Sequence, residues 1–210
     1  MVYKTIPELY KEKFYVADFI KTTSTKLQVK VRVDFLHVIL QDTLNARSIT
    51  KAIATRTHGR SNREVITYVL NFLQSIPYDH LKSRNAMEGL GFVPPLTLIA
   101  INKGDCDTKS TALATLLRTL LPNVNMAMVF IPNHAFVALD IPMHKGDDTI
   151  NINGRNYVVV DPTGPSLSAV GKAHKRAKPY LKQKRNKLEY LINIPNGLKD
   201  SFTPTMIDLR

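Results

Sequence analysis

The chain of 210 residues predicts an α+β fold, and three observations carry that reading. Two segments show helical apolar spacing: Val65, Ile66, Val69, Leu70, Leu73 and Ile76 in the first, and Leu113, Leu116, Leu117 and Leu120 in the second. A long connection containing Gly89, Gly91, Pro94 and Pro95 separates them. After Pro122 the pattern changes to short strand-like runs divided by turn signals. The order is helix, long connection, helix, antiparallel strands.

Taken from the start, residues 7–20 read as a short helix with apolar residues on one side. Residues 26–34 alternate apolar and polar positions, which predicts a strand. The apolar character continues from Val33 to Leu40, and residues 55–62 read as a loop. Asn62 is placed as the cap of the first clear helix, which Pro77 stops. Within the long connection, residues 96–101 form a short buried segment. Gly104 and Asp105 open the second helix and Pro122 closes it. Strands are expected over 125–131, 134–140, 149–153 and 156–161. Asn153-Gly154 is a strong hairpin signal, because both residues tolerate positive φ; Pro132-Asn133 is a weaker turn. The organisation expected is an N-terminal extension over 1–61 packed on the core, a core over 62–165, and a basic segment over 166–210.

Hydrophobic residues make up 44% of the chain, an ordinary proportion for a globular protein. No apolar run approaches the roughly 18–20 residues that span a bilayer. The first ten residues lack the continuous apolar stretch of a signal peptide. Net charge is +12, which suits an anionic partner: an acidic protein or peptide, nucleic acid or an anionic membrane surface. The charge concentrates in Lys172, Lys175, Arg176, Lys178, Lys182, Lys184, Arg185 and Lys187, with His174 and Tyr180 among them. A solvated helix face accounts for such a run as readily as a docking surface does.

One cysteine, Cys106, rules out an intramolecular disulfide and a multi-cysteine zinc site. It is a buried small residue, an incidental thiol or a nucleophile. Its place in the first turn of a helix favours the thiolate, through unpaired N–H groups and the macrodipole. The Cys106 backbone N–H is also a candidate oxyanion donor. Asp105 and Asp107 oppose ionisation. Asp105 is equally a natural N-cap. A protonated histidine, a bound cation, or Lys103 and Lys109 would offset the two carboxylates. His134 opens a strand on which His134, Phe136 and Ala138 share one face, and Ala135, Val137 and Leu139 the other. Asp161 ends another strand before Pro162. Alone, His134 fits a hydrogen-bonded structural residue and Asp161 a turn residue. Together with Cys106 they fit a nucleophile, a base and an orienter.

The order and the local motifs resemble the transglutaminase-like superfamily of cysteine enzymes, closest to its bacterial cysteine peptidases. The residues concerned are Tyr78 after Ile76-Pro77, Gly-Asp-Cys at 104–106, Asn-His-Ala-Phe-Val at 133–137 and Val-Asp-Pro-Thr at 160–163. They span about half the chain. The resemblance implies a papain-like core with the cysteine helix packed on an antiparallel sheet. It implies Cys106, His134 and Asp161 as a catalytic triad that acts on an amide of a protein or peptide through a thioester. By position, Tyr78 is a second oxyanion candidate, and a buried structural tyrosine fits it too. Some members of the group are calcium-dependent proteases of the bacterial periplasm, in which acidic neighbours of the cysteine bind the metal. That role maps here onto Asp105 and Asp107 alone, and two carboxylates are few for a shell of six to eight oxygens. The chain has no Trp, whereas the cross-linking transglutaminases line their acyl-donor tunnel with it. Hydrolysis is therefore the reading, with transfer of the acyl group to an amine and a catalytically silent basic binding module as alternatives.

Overall fold

A computed structural model describes residues 15–21, 27–80, 92–181, 190–194 and 206–207. Three expectations fall outside these: the helix over residues 7–14, the stretch 81–91, and the basic positions 182–187. Two strands come first, β1 (Tyr15–Lys21) and β2 (Leu27–Val33), paired antiparallel from Tyr15 opposite Val33 to Lys21 opposite Leu27. The helix expected through residue 20 is thus corrected to a strand over 15–20. Apolar residues at 15, 16, 19 and 20 satisfy helical spacing by position, but the Val29, Val31 and Val33 run of β2 supplies a β-branched ladder partner.

Five helices follow: α1 (Phe35–Asn45), α2 (Arg47–Arg56), α3 (Asn62–Ser75), α4 (Pro95–Ile101) and α5 (Cys106–Leu120). Asp34 caps α1 by accepting from the His37 N–H at 3.1 Å. The cap of α3 is Ser61, not Asn62. Ser61 and Glu64 form a reciprocal capping box, with the Ser61 N–H donating to Glu64 Oε2 at 2.9 Å. Such a cap contributes about 1 kcal/mol. The expected short segment at 96–101 is the helix α4, with Pro95 in its first turn.

The strands β3 (Met126–Ile131), β4 (His134–Leu139), β5 (Thr149–Ile152) and β6 (Arg155–Val160) lie where the alternation places them. Asn153 and Gly154 make the tight turn between β5 and β6 with φ of 52° and 84°. A one-turn helix, α6 (Lys178–Leu181), precedes β7 (Tyr190–Ile194) and β8 (Met206–Ile207). The six strands form one antiparallel sheet in the order β5-β6-β4-β3-β7-β8. Among the described residues no helix is long and apolar enough to cross a membrane.

Both faces of the sheet centre are covered. Ala135, Val137 and Leu139 of β4 face the helical core with Leu113 and Leu117 of α5. Phe136 and Ala138 face a second cluster, closed by Ala173 and Ala177 of the C-terminal segment. Helices α1, α3 and α4 pack around α5, which packs on β3 and β4. This burial explains why α5 hides even its polar residues: Thr108, Lys109, Ser110 and Thr111 are all 0% exposed.

Candidate active site

The N-terminus of α5 is fixed from outside the helix. The Gly104 N–H donates to Pro77 O at 3.3 Å, and the Asp79 N–H donates to Gly104 O at 3.1 Å. A β-carbon at Gly104 would run into the Leu98 side-chain tip and crowd Thr108, so any larger residue there would have to displace the buried Leu98. Asp105 caps the helix by accepting from the Thr108 N–H at 3.2 Å. Cys106 follows in the first turn and is half-buried.

Cys106 and His134 line one cavity of about 1060 Å³, with Tyr78, Asp105, Asp107 and Arg176 also on its wall. The thiol is pushed up to about 12, first by burial and then by Asp107 and Asp105. Hydrogen bonds from the Ala135 and Asp107 backbone act in the opposite direction. The sulfur therefore sits against the residue that follows His134. The opposition of the two aspartates is present as expected, but burial is the larger cause.

The two aspartates act as a pair. Asp107 is held well above the ordinary carboxylate range by burial, by the hydrogen bond its protonated carboxyl donates to Asp105, and by the Asp105 charge. Both carboxylates also accept from the Thr108 N–H, at 3.2 and 3.0 Å. Among the described residues no group of three His, Cys, Asp or Glu side chains converges on a metal position.

A raised carboxyl binds its proton more tightly folded than unfolded. Its stabilising contribution is complete below the unfolded value near pH 3.9 and is lost as pH rises through the folded value. Asp107→Asn keeps both hydrogen bonds and removes the charge. The variant is expected to melt level with the parent near pH 4 and above it at pH 8, a difference that paired thermal melts will read.

His134 and Asp161 meet. His134 Nε2–H donates to Asp161 Oδ2 at 2.7 Å, and the two residues are 7% and 4% exposed. Antiparallel pairing of Val137 with Val160 brings Asp161 level with the His134 end of β4. Asp161 Oδ1 accepts from the Thr163 N–H at 3.1 Å. Burial works to raise the Asp161 carboxyl, but the His134 hydrogen bond and charge and the Thr163 bonds prevail and hold it below the usual range. With Nε2 engaged, Nδ1 is the ring nitrogen left for chemistry. The imidazole is flanked by Phe136 and His174, at centroid distances of 6.2 and 5.4 Å.

Tyr78 lies beside the clamp on Gly104, and its ring lines the cavity. Burial, then Cys106, Asp105 and Asp107, push its phenol up to about 12. It therefore stays a hydrogen-bond donor across the physiological range.

Gln74 escapes the sequence reading, and Lys109 enters it only as a charge that could offset the two aspartates. Lys109 is wholly buried, and Nζ donates to Ile76 O at 2.5 Å and Thr163 O at 2.8 Å. Gln74 is 1% exposed. Its Nε2 donates to Asp161 O at 2.8 Å and Ser168 O at 3.2 Å, while Oε1 accepts from the Ser168 N–H at 3.1 Å. Both fix the Asp161 loop. Each was visible as a polar residue on an apolar stripe, Gln74 four positions after Leu70 and Lys109 four before Leu113.

No family model and no curated protein matches the chain. Among solved structures it is similar to LapG of Legionella pneumophila, at 16% identity and a TM-score of 0.42, over 75% of this chain and 83% of that one. An EGTA-treated structure of LapG gives 15% identity and a TM-score of 0.43, over 82% and 89%. These are distant likenesses, and neither bears on the chemistry of the site.

Proposed function

We propose that the chain is a transglutaminase-like cysteine hydrolase that cleaves an amide bond of a protein or peptide. The observation that carries this is the buried His134–Asp161 pair at 2.7 Å, with His134 on the same cavity as a cysteine in the first turn of a helix. Because the free thiol is pushed up to about 12, the resting site holds a neutral Cys106. Attack then depends on a base. His134 Nδ1 takes the thiol proton as sulfur bonds to the carbonyl carbon, and the carbonyl electron pair moves to oxygen. The Cys106 N–H and the Tyr78 hydroxyl are the donors available to that oxyanion. Collapse expels the amine, which takes the proton from His134 and leaves a thioester. Water, deprotonated by His134, attacks the thioester and releases the acid and the thiol. Asp161 fixes the ring and stabilises the imidazolium throughout.

Iodoacetamide labelling of Cys106 at neutral pH tests this. Wild type is expected to label at least about tenfold faster than His134→Ala, since general bases of this kind contribute roughly 10²–10⁴ to a rate. Equal rates in the two proteins would sink the mechanism and leave a silent basic binding module.

A further inference from the structure

We propose that Arg176 forms a carboxylate-binding subsite in the Cys106 cavity, so that the amide substrate carries an anionic group beside the bond to be cleaved. This rests on the hydrolase reading and adds the substrate class. Arg176 is exposed to solvent and lines the same cavity as Cys106 and His134. Two basic residues of the same segment are engaged elsewhere: Lys172 Nζ donates to Gly146 O at 2.6 Å, and Lys178 lies 3.8 Å from Asp148. Among the described residues Arg176 has no carboxylate partner.

The segment that presents Arg176 is anchored. Ala173 and Ala177 are buried against the outer face of the sheet. The Ala173 N–H donates to Asp148 Oδ2 at 2.9 Å, the Ala177 N–H to His174 O at 2.9 Å, and the Arg176 N–H to His174 Nδ1 at 3.3 Å. The guanidinium is also near the chemistry. Its charge reaches the Tyr78 phenol, which feels Cys106, Asp105 and Asp107 as well. The other carboxylates on the cavity wall, Asp105 and Asp107, are held to the Thr108 N–H and to each other. Arg176 is left to bind an anion from solution, and its planar fork matches a carboxylate in two parallel hydrogen bonds.

The test compares two reagents of similar size on the full chain, iodoacetate and iodoacetamide. Both alkylate the same sulfur, so their rate ratio cancels the reactivity of the thiol and reads the local field. Arg176→Gln is expected to lower the iodoacetate-to-iodoacetamide ratio about three- to tenfold at low salt, the effect of removing one charge from a part-solvated cleft. Added salt should lower the wild-type ratio but not the variant ratio, where Asp105 and Asp107 are the charges left to screen. Lys175→Gln, on the same segment but off the cavity wall, should leave the ratio unchanged. An equal fall in Lys175→Gln, or no fall in Arg176→Gln, overturns the subsite. Iodoacetamide labelling that is slow and independent of His134 overturns instead the hydrolase reading beneath it. Protection of Cys106 by N-acetylglutamate amide or by N-acetylalanine assigns the carboxylate to an acidic side chain or to a free C-terminus. Protection by neither also overturns the proposal.

Discussion

Lys109→Met is expected to lower the melting temperature by roughly 6–20 °C, the equivalent of about 3–5 kcal/mol in a chain of this size. The side chain is 0% exposed, and methionine matches its length without its donors. Ile76 O and Thr163 O would each lose a charged donor inside the protein, at roughly 1–3 kcal/mol apiece. Asp105 and Asp161, whose charges favour the ammonium, would lose a nearby cation. Against this stands the cost of burying the charge, which brings the Lys109 ammonium down to about 8 from 10.5. The two effects predict different signs. A fall in melting temperature means that the bonds outweigh the burial cost; a rise means that they do not, and overturns the expectation. The pH dependence separates them further. Between about 8 and 10.5 the unfolded chain keeps the Lys109 proton and the folded chain releases it. The Lys109 contribution to stability is therefore lowest below 8 and grows as pH rises through that window. Cys106, raised to about 12, works the other way above 9. Subtracting the Lys109→Met curve from the wild-type curve isolates the lysine.

Much of this architecture is legible in the sequence, and its limits have physical causes. Helix α3 and the leucine stripe of α5 show in a 3.6-residue period because each lays one apolar face on the core. The β5–β6 hairpin shows in Asn153-Gly154 because few residues accept positive φ. Helices α1 and α2 do not show. Phe35, Leu36, Val38 and Ile39 are a dense apolar run, all buried and broken only by His37, and so dense a run gives little period to read. The acid neighbours of Cys106 can be read from adjacent letters. The larger cause of its raised thiol, burial, arises only when α5 packs on β4. The His134–Asp161 contact is similar. Each residue is locally ordinary, and only the strand order β6-β4 with its register brings them to 2.7 Å.

Gly164→Ala is expected to cost about 2–4 kcal/mol and to slow His134-dependent labelling of Cys106 along with it. Gly164 has φ of +63°, where an L-residue loses roughly 1–2 kcal/mol. A β-carbon there would also sit 2.6 Å from Gln74 O, a backbone atom of α3 that cannot rotate away. The loop must then lift from α3. That movement strains the three bonds from Gln74 to Asp161 and Ser168, and the Lys109 bond to Thr163 O. Asp161 would shift against His134, so the chemistry should fail together with the packing. Gly164→Asn separates the two causes. Asparagine tolerates positive φ but still carries a β-carbon. If the backbone angle alone sets the cost, asparagine recovers most of the stability. If the approach to Gln74 O dominates, as the 2.6 Å distance requires, asparagine is as damaging as alanine. Thermal melts and labelling rates of the two variants decide between these outcomes, and full recovery in Gly164→Asn would remove the close packing of the loop on α3 as the reason for glycine.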